Sequence, residues 1–286
     1  MKNKSSLQEI EPIHNIEFTY DSQLRKSPAI EELFDVIRYR DLIYQLIRRD
    51  IVARYKRSIL GVIWTMLQPL GMMLVITIAF SQLFGRVEGY PVYLLSGLIA
   101  WNFFSQTTTA AIHQIVWGGA LMRRIYIPHT AFSISSVGTG MVNLILSLIP
   151  LLLIMLIAQR PITWAILFVP IPLMLLTAFA LGVGLMLSTM AIHFPDIKEM
   201  YLIIVQAWMY LTPVMYPADI IPVTYRDWLL YLNPMYYLIN IFRAPIYDGS
   251  LPSLNILMVG IAVSVLTLLV GWSYFSSQMD NFAYTA

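Results

Sequence analysis

The sequence predicts an all-α integral membrane protein with six transmembrane helices. Six long stretches of the 286-residue chain contain no Asp, Glu, Lys or Arg. Each can supply the roughly 20 apolar residues with which a helix crosses a bilayer. Only 12% of all residues are charged, about half the share in a typical soluble domain. The charge-free stretches are 58–85, 89–122, 125–159, 161–195, 200–218 and 249–279.

These stretches form one predicted transmembrane domain, 58–279, which is preceded by two shorter regions. Residues 1–30 form a polar extension that lacks the continuous apolar core of a secretory signal. An amphipathic helix is predicted at 31–57, and a segment that does not cross the membrane is predicted at 217–252. The predicted spans are about 60–84, 91–116, 131–158, 163–192, 199–216 and 253–275.

The distribution of basic residues predicts the orientation. Eleven of the 18 Lys and Arg residues precede Ser58. If that end lies in the cytoplasm, Arg123, Arg124 and Lys198 lie inside as well, which gives 14 basic residues inside and four outside. This bias is what the positive-inside rule expects. An even number of spans then places both termini on the cytosolic side of the cytoplasmic (inner) membrane.

The region before the first span has the pattern of an amphipathic helix, because apolar residues recur at helical spacing and charged residues fall largely off that stripe. We expect this helix to lie in the membrane interface, with its basic end against anionic lipid headgroups. A solvated helix packed on a partner is the alternative. The stripe consists of Leu33, Ile37, Tyr44, Ile47, Ile51 and Tyr55, and the candidate headgroup residues are Arg48, Arg49, Arg54, Lys56 and Arg57.

The second predicted span carries a line of polar residues at spacings of four, three and four: Asn102, Gln106, Thr109 and His113. In hydrocarbon such a line must face other helices or water. Hydrogen bonding between helices explains any one of these residues. Together, so many amides and hydroxyls favour a polar passage.

The lack of ionisable residues inside the spans restricts the possible transport mechanisms. Ion-coupled transporters commonly place ionisable groups inside the membrane, whereas no Asp or Glu lies between the boundary residues of any predicted span. A phosphate-binding loop of the form G-x-x-x-x-G-K-[ST] requires a Gly-Lys pair, and the sequence contains none. We therefore expect that any ATP is bound by another polypeptide. The chain contains no Cys, so it has neither disulfides nor a thiolate metal site.

Two predicted cytosolic loops are candidate contacts for such a partner. The 118–128 loop has glycines that break the preceding helix and a proline that limits the next one. The 193–199 loop joins the fourth and fifth spans. Ordinary loops whose arginines set the topology are the alternative. The candidate contact residues are Met122, Arg123, Arg124, Ile125, Tyr126, Asp196 and Lys198.

The outer segment, 217–252, is too short and too interrupted to span as one helix. Asn233-Pro234 divides it, so we predict two short helices that dip into the outer leaflet. Aromatic residues crowd this segment. Such residues form a belt at membrane interfaces, and they can equally stack on the apolar faces of sugar rings.

Several segments resemble one family. They are 54–64 (RYKRSILGVIW), 68–70 (QPL), 206–217 (QAWMYLTPVMYP) and 233–237 (NPMYY), followed by Phe242-Arg243. In this order they resemble the membrane subunits of polysaccharide-exporting ABC transporters, which are the O-antigen, capsule and teichoic acid permeases. The resemblance is closest to the O-antigen type. The 193–199 loop departs from it, because the family often has Phe-Arg-Asp where this chain has Phe-Pro-Asp.

The resemblance implies a transport subunit and not an enzyme. It implies a homodimer with two ATP-binding cassette subunits that hold ATP and Mg, while this chain holds no cofactor or metal and binds no nucleic acid. It also implies that the 118–128 loop is a coupling helix and that 217–252 forms outer gate helices. The expected gate residues are Tyr216, Trp228, Tyr231, Tyr236 and Tyr237.

The expected activity is ATP-driven export of undecaprenyl-linked O-antigen polysaccharide across the membrane. The polysaccharide is expected to pass through a tunnel, and the protein is expected to contact membrane lipids. Because the spans contain no basic residue, we expect a largely neutral glycan. Export of capsule or teichoic acid, an ion-coupled flippase for lipid-linked sugars, and a membrane enzyme using Asp196 and Glu199 are the alternatives. The candidate tunnel residues are Trp64, Trp101, Phe104, Thr108, Tyr201 and Trp208.

Overall fold

The structure, a computed structural model, describes residues 28–56, 60–85, 87–122, 128 and 130–285. In these residues every element of regular structure is a helix, as the sequence predicts. The helices are α1 (Pro28–Arg38), α2 (Arg40–Tyr55), α3 (Ile63–Ala79), α4 (Ser81–Phe84), α5 (Tyr90–Met122), α6 (Thr130–Ile157), α7 (Pro170–His193), α8 (Ile197–Leu211), α9 (Val223–Tyr231), α10 (Pro234–Arg243) and α11 (Leu254–Thr285).

The region predicted as one amphipathic helix consists of two helices that meet at Tyr39. This residue has φ −96° and ψ 19°, in the sparsely allowed bridge region, so the chain bends there. The bend lets α1 pack against α11 while α2 packs against α6. Ile43 and Leu46 are buried on the protein side of α2, whereas Leu33 and Tyr44 of the predicted stripe are exposed. These exposed residues are free to contact lipid, whereas Ile47 of the stripe packs against the protein.

Two predicted spans differ from the helices observed. The span at 60–84 is interrupted at Phe80, which separates α3 from α4 and has φ −107° and ψ 11°. The span at 199–216 ends early, because α8 stops at Leu211. The residue that follows is extended and precedes Pro213, whose ring disfavours the helical conformation there.

The core is built around α5, which contacts α3, α6, α7, α8 and α10. Leu94 and Leu95 of α5 are fully buried. On the other side of the bundle α11 packs along α7. A Cβ on Gly271 would overlap the carbonyl group of Gly182, so glycine permits this close approach.

Within the described residues, three helical segments are long and apolar enough to cross a membrane: Thr130–Ile157, Trp164–His193 and Leu254–Gln278. The second includes a 3-10 turn at Trp164–Phe168 before α7. Ile63–Ala79 is a shorter apolar helix. Many large apolar side chains are exposed along α6 and α11, as lipid contact requires. The count of six spans remains a prediction.

The 217–252 segment contains the two short helices α9 and α10, which meet at Asn233-Pro234. Pro234 occupies the first turn of α10, where its missing N–H costs no helical hydrogen bond. The Asn233 side chain caps this helix by accepting a hydrogen bond from the backbone N–H of Met235 at 3.1 Å. A π-helical turn at Ala244–Asp248 follows and ends at Gly249, which has φ +64°.

Candidate functional site

A cavity of about 870 Å³ lies between α3, α5, α6 and α8. This volume is within the range of roughly 300–1,000 Å³ typical of ligand sites. Among the residues that line it in the described part of the chain, Arg54 alone carries a permanent charge. Ten of the other 21 lining residues are amides or alcohols: Gln68, Asn102, Gln106, Asn143, Gln206, Thr65, Ser105, Thr107, Thr109 and Ser147.

The polar line of α5 faces this cavity. Asn102, Gln106, Thr109 and His113 all line it, because their spacings of three and four place them on one side of the helix. The line therefore faces a space between helices that contains other polar side chains.

The opposite wall, on α6, was not identified from the sequence. Gly140, Asn143 and Ser147 line the cavity from this helix, and the Ser147 hydroxyl donates a hydrogen bond of 2.8 Å to the Asn143 carbonyl oxygen. Their spacings of three and four are the same signal that identifies the line on α5. The signal is weaker on α6, because Asn143 is a single amide within a long apolar helix.

Of the six candidate tunnel residues, the structure places Trp64 on the cavity. Trp64 exposes 56% of its surface, so an aromatic face is available at the wall. The other five lie on a different side of α5 or on the facing side of α8, and they do not line this cavity: Trp101, Phe104, Thr108, Tyr201 and Trp208.

Those five residues belong to an aromatic cluster within the core. The ring of Trp208 packs edge-on against Trp101 at 5.9 Å and against Phe104 at 5.3 Å between centroids. The Thr108 and Tyr201 hydroxyls share a hydrogen bond of 2.6 Å. Because Trp101, Phe104 and Thr108 are at most 2% exposed, they join α5 to α8 by packing.

Most of the candidate headgroup residues lie on α2 or directly after it. Arg48, Arg49, Arg54 and Lys56 are exposed, and Arg54 also lines the cavity. Arg57 lies outside the described residues. The basic end of α2 thus adjoins the polar space, an arrangement that the sequence alone does not define.

Asp50 lies outside the predicted spans, and its carboxylate contacts the helix bundle. Asp50 of α2 accepts a hydrogen bond of 2.5 Å from the side-chain amide of Gln114 on α5. Gln114 in turn accepts one of 2.9 Å from the Ser135 hydroxyl on α6. Arg49 pairs with the same carboxylate at 2.8 Å. Asp50 therefore fastens α2 to two helices of the bundle, a role that no sequence pattern indicated.

The candidate gate aromatics fall into two groups. Trp228 and Tyr231 of α9 are 56% and 69% exposed. Tyr237 is buried, and its hydroxyl donates to the Tyr231 carbonyl oxygen at 3.2 Å. Tyr216 donates to the carbonyl oxygen of Tyr210 at 2.6 Å. The half-buried ring of Tyr236 lies 5.5 Å from that of Tyr237, so α9 presents its aromatic rings outward while α10 anchors them.

Arg243, at the end of α10, is buried among backbone carbonyl groups. Its guanidinium donates to the carbonyl oxygens of Tyr93, Pro213 and Val214 at 3.2, 3.0 and 2.7 Å. It also stacks over the Tyr93 ring at 3.6 Å. Burial lowers the pKa of Arg243, whereas Tyr93 and Asp248 raise it. This side chain joins α10 to α5 and to the end of α8.

Most of the candidate contacts for an ATPase are not described. Arg123, Arg124, Ile125 and Tyr126 lie outside the described residues, and of Met122 the structure describes the backbone only. In the second loop Asp196 is exposed directly before α8. Lys198 is half-buried and pairs with Glu199 at 3.6 Å.

No group of three or more His, Asp or Glu residues in the described part of the chain is placed to hold a metal ion. The amides, alcohols and Trp64 that line the cavity offer hydrogen bonding and stacking. Such groups can bind a hydroxylated ligand.

Comparison with known proteins agrees with the helical, membrane-type features described above. The model of the ABC-2 type transporter family matches residues 41–247. The O-antigen export system permease protein RfbA of Myxococcus xanthus is 31% identical, over 87% of this chain and 96% of that protein. A protein of the same name from Klebsiella pneumoniae is 24% identical, over 85% and 94%. The polysialic acid transport protein KpsM of Escherichia coli is 23% identical, over 82% and 92%.

Proposed function

This chain belongs to the ABC-2 type transporter family, and on that basis we propose that it is the membrane permease of an ATP-driven exporter of O-antigen-type polysaccharide. The uncharged polar lining of the 870 Å³ cavity carries the proposal. Amide and hydroxyl groups both donate and accept hydrogen bonds, as sugar hydroxyl groups do. Export of a largely neutral glycan fits this lining.

In this proposal the glycan travels on a lipid carrier, undecaprenyl diphosphate. The basic residues of α2 are on the outside of the protein and beside the cavity, so an anionic headgroup can pair with them while the sugar chain enters the polar space. The exposed apolar residues of α1 and α2 would hold this end of the chain in the membrane interface.

Two copies of the chain and two ATP-binding cassette subunits complete the proposed exporter. A cavity that is open on one protomer gains a second wall when an equivalent protomer faces it. The 118–128 and 193–199 loops would contact the ATPase on the cytosolic side. The exposed rings of α9 would meet the glycan as it leaves on the outer side, and both termini would remain in the cytosol of the inner membrane.

The proposal is tested by deleting the gene in the source bacterium and measuring polysaccharide at the cell surface. We expect lipid-linked polymer to accumulate inside the cell, and a plasmid copy of the gene to restore export. Purification of the tagged chain should recover a polypeptide with a phosphate-binding loop. If no such polypeptide copurifies, the proposal fails.

The same strain separates the alternative functions. Export that continues after ATP depletion, while the proton gradient is held, would indicate an ion-coupled flippase. A strong preference for a phosphate-containing polymer would indicate a teichoic acid exporter and would overturn the expectation of a neutral glycan. Export that persists after both Asp196 and Glu199 are changed to alanine would exclude a membrane enzyme that uses these carboxylates.

A further inference from the structure

The end of α8 and the residues after it are bound firmly to their neighbours. We name this stretch, 208–216, the anchor segment. Its backbone carbonyl oxygens accept hydrogen bonds from Tyr90 and Tyr93 of α5 at 2.7 and 3.0 Å, and from Arg243 of α10 at 3.0 and 2.7 Å. Asn233 accepts one hydrogen bond from the anchor segment at 3.0 Å and donates another to it at 2.8 Å. The anchor segment is therefore fixed to both α5 and α10.

The first half of α8, 197–205, is held more loosely. Tyr201 and Val205 are its buried residues, whereas Ile203 is 73% exposed. The connection that joins it to α7, 194–196, is exposed as well. Segments with few buried apolar side chains move at a lower cost in free energy than well-packed ones. Packing therefore resists movement of the first half of α8 less than the bonds of the anchor segment resist movement there.

In the part of the chain that the structure describes, one side-chain hydrogen bond joins the first half of α8 to another helix. It connects the Tyr201 and Thr108 hydroxyls at 2.6 Å. The Thr108 hydroxyl donates to the Phe104 carbonyl oxygen at 2.8 Å, so it accepts from Tyr201. Because a neutral hydrogen bond contributes only modestly to stability, this one can hold the helix in place and still break reversibly.

The first half of α8 also forms part of the cavity wall. Leu202 and Val205 line the main cavity, as does Gln206 directly after them. If α8 swings about the anchor segment, this wall moves away from α5 and the cavity widens. The displacement is greatest at Ile197, which is farthest from the anchor segment and lies in the 193–199 loop.

We propose that α8 pivots about the anchor segment, and that the hydrogen bond between Tyr201 and Thr108 is a latch that holds its first half against α5. The pivot and the latch rest on the contacts of α8 alone. The cause of the movement rests on the proposed function, because ATP would act through an ATPase bound at the 193–199 loop.

Single cysteines can report this movement, because the chain has no Cys of its own. Val205→Cys reports on the first half of α8 and Val214→Cys on the anchor segment. The two valines are 7% and 0% exposed, so both thiols are shielded while the latch is closed. The measurement is the rate at which a water-soluble maleimide labels each cysteine, in the full chain with its copurified ATPase in lipid nanodiscs.

Tyr201→Phe removes the hydroxyl that closes the latch and keeps the ring. It should raise the labelling rate of Val205→Cys by roughly threefold or more, as the loss of one modest hydrogen bond implies. The rate at Val214→Cys should stay unchanged. Equal labelling of Val205→Cys with and without the Tyr201 hydroxyl overturns the proposal. An equal rise at both reporters also overturns it, because the whole helix would then have loosened.

Three further variants test the latch itself. Thr108→Val removes the acceptor and should match Tyr201→Phe, whereas Thr108→Ser keeps the hydroxyl and should label like the wild type. Tyr210→Phe is the matched control on α8, since Tyr210 is 59% exposed, and it should leave both rates unchanged. A Thr108→Val protein that labels like the wild type would contradict the latch.

Nucleotide and export separate this proposal from the proposed function. ATP, with a hydrolysis-deficient ATPase, should speed labelling of Val205→Cys in the otherwise wild-type chain, and no change would overturn ATP as the cause of the pivot. If cells export polysaccharide but Tyr201→Phe does not change labelling, the latch alone fails. If Tyr201→Phe speeds labelling but the wild-type chain supports no export, the proposed function fails and the latch remains.

Discussion

The indole Nε1 of Trp208 donates a hydrogen bond of 3.0 Å to Oδ1 of Asn233. The same oxygen caps α10, and the Asn233 Nδ2 atom donates to the Thr212 hydroxyl at 2.8 Å. Every polar atom of this amide side chain is thus paired between the end of α8 and the start of α10. Since Trp208 also packs against the aromatic residues of α5, the outer helices are fixed to the core at this point.

Replacing Asn233 with alanine should destabilise the outer segment. It removes the helix cap, worth about 1 kcal/mol, and leaves the partly buried Trp208 N–H without its acceptor, which costs up to about 1–3 kcal/mol. We expect a lower apparent melting temperature and faster hydrogen exchange in α10. Asn255→Ala on the exposed side of α11 is the matched control and should behave like the wild type. Equal exchange in both variants would contradict this role of Asn233.

Arg243 should not be replaceable by lysine. Lysine keeps the charge but lacks the planar fork that reaches three carbonyl oxygens, so Arg243→Lys should lower stability by about 1–3 kcal/mol. Gly97→Ala is the second test, because its Cβ would overlap the guanidinium and lie 2.8 Å from the Val214 carbonyl oxygen. Thermal unfolding of the purified protein measures both. Wild-type stability of either variant would rule out a tight fit around Arg243.

The two faces of α5 should respond differently to substitution. Phe104→Ala creates a cavity in the core and should cost about 3–5 kcal/mol of stability. Gln106→Leu changes the polar lining and should slow export at near wild-type stability. Surface polysaccharide and thermal unfolding, measured on the same samples, separate the two effects. Slower export by Phe104→Ala at unchanged stability would instead place Phe104 in the passage.

Asp50 should hold α2 on the bundle. Asp50→Ala removes the acceptor for Gln114 and Arg49, so we expect faster hydrogen exchange across α2. Asp41→Ala is the control on the same helix, because the Asp41 side chain is 92% exposed. Protection of α2 that is equal in both variants would show that Ile43 and Leu46 hold this helix without the carboxylate.

Two glycines test the packing of α11 on α7. Gly271→Ala would place its Cβ against the carbonyl group of Gly182, so the helices must separate and the melting temperature should fall. Gly71→Ala in α3 meets nothing within 4 Å. Alanine favours helix over glycine by about 1 kcal/mol, so this control should be neutral or stabilising. A neutral Gly271→Ala would contradict the close approach.

Much of the fold follows from local pattern. The absence of charge over long stretches predicts the apolar helices, and Asn233-Pro234 predicts the junction between α9 and α10. The bend at Tyr39 could not be predicted, because no proline or glycine marks it and the separate partners of α1 and α2 produce it. In the candidate site, the polar line from Asn102 to His113 is visible in the sequence because its spacing is helical.

By itself, the sequence determined that this protein is helical, belongs in a membrane and has a polar face on α5, since hydropathy and spacing are properties of each helix alone. Only the tertiary structure decided which face of α5 meets the cavity and which is core, because both Trp101 and Asn102 are compatible with either environment until neighbouring helices are in place. It also brought Asp50 to Gln114, 64 positions later in the chain. Contacts between distant residues depend on how the helices pack, which no single helix encodes.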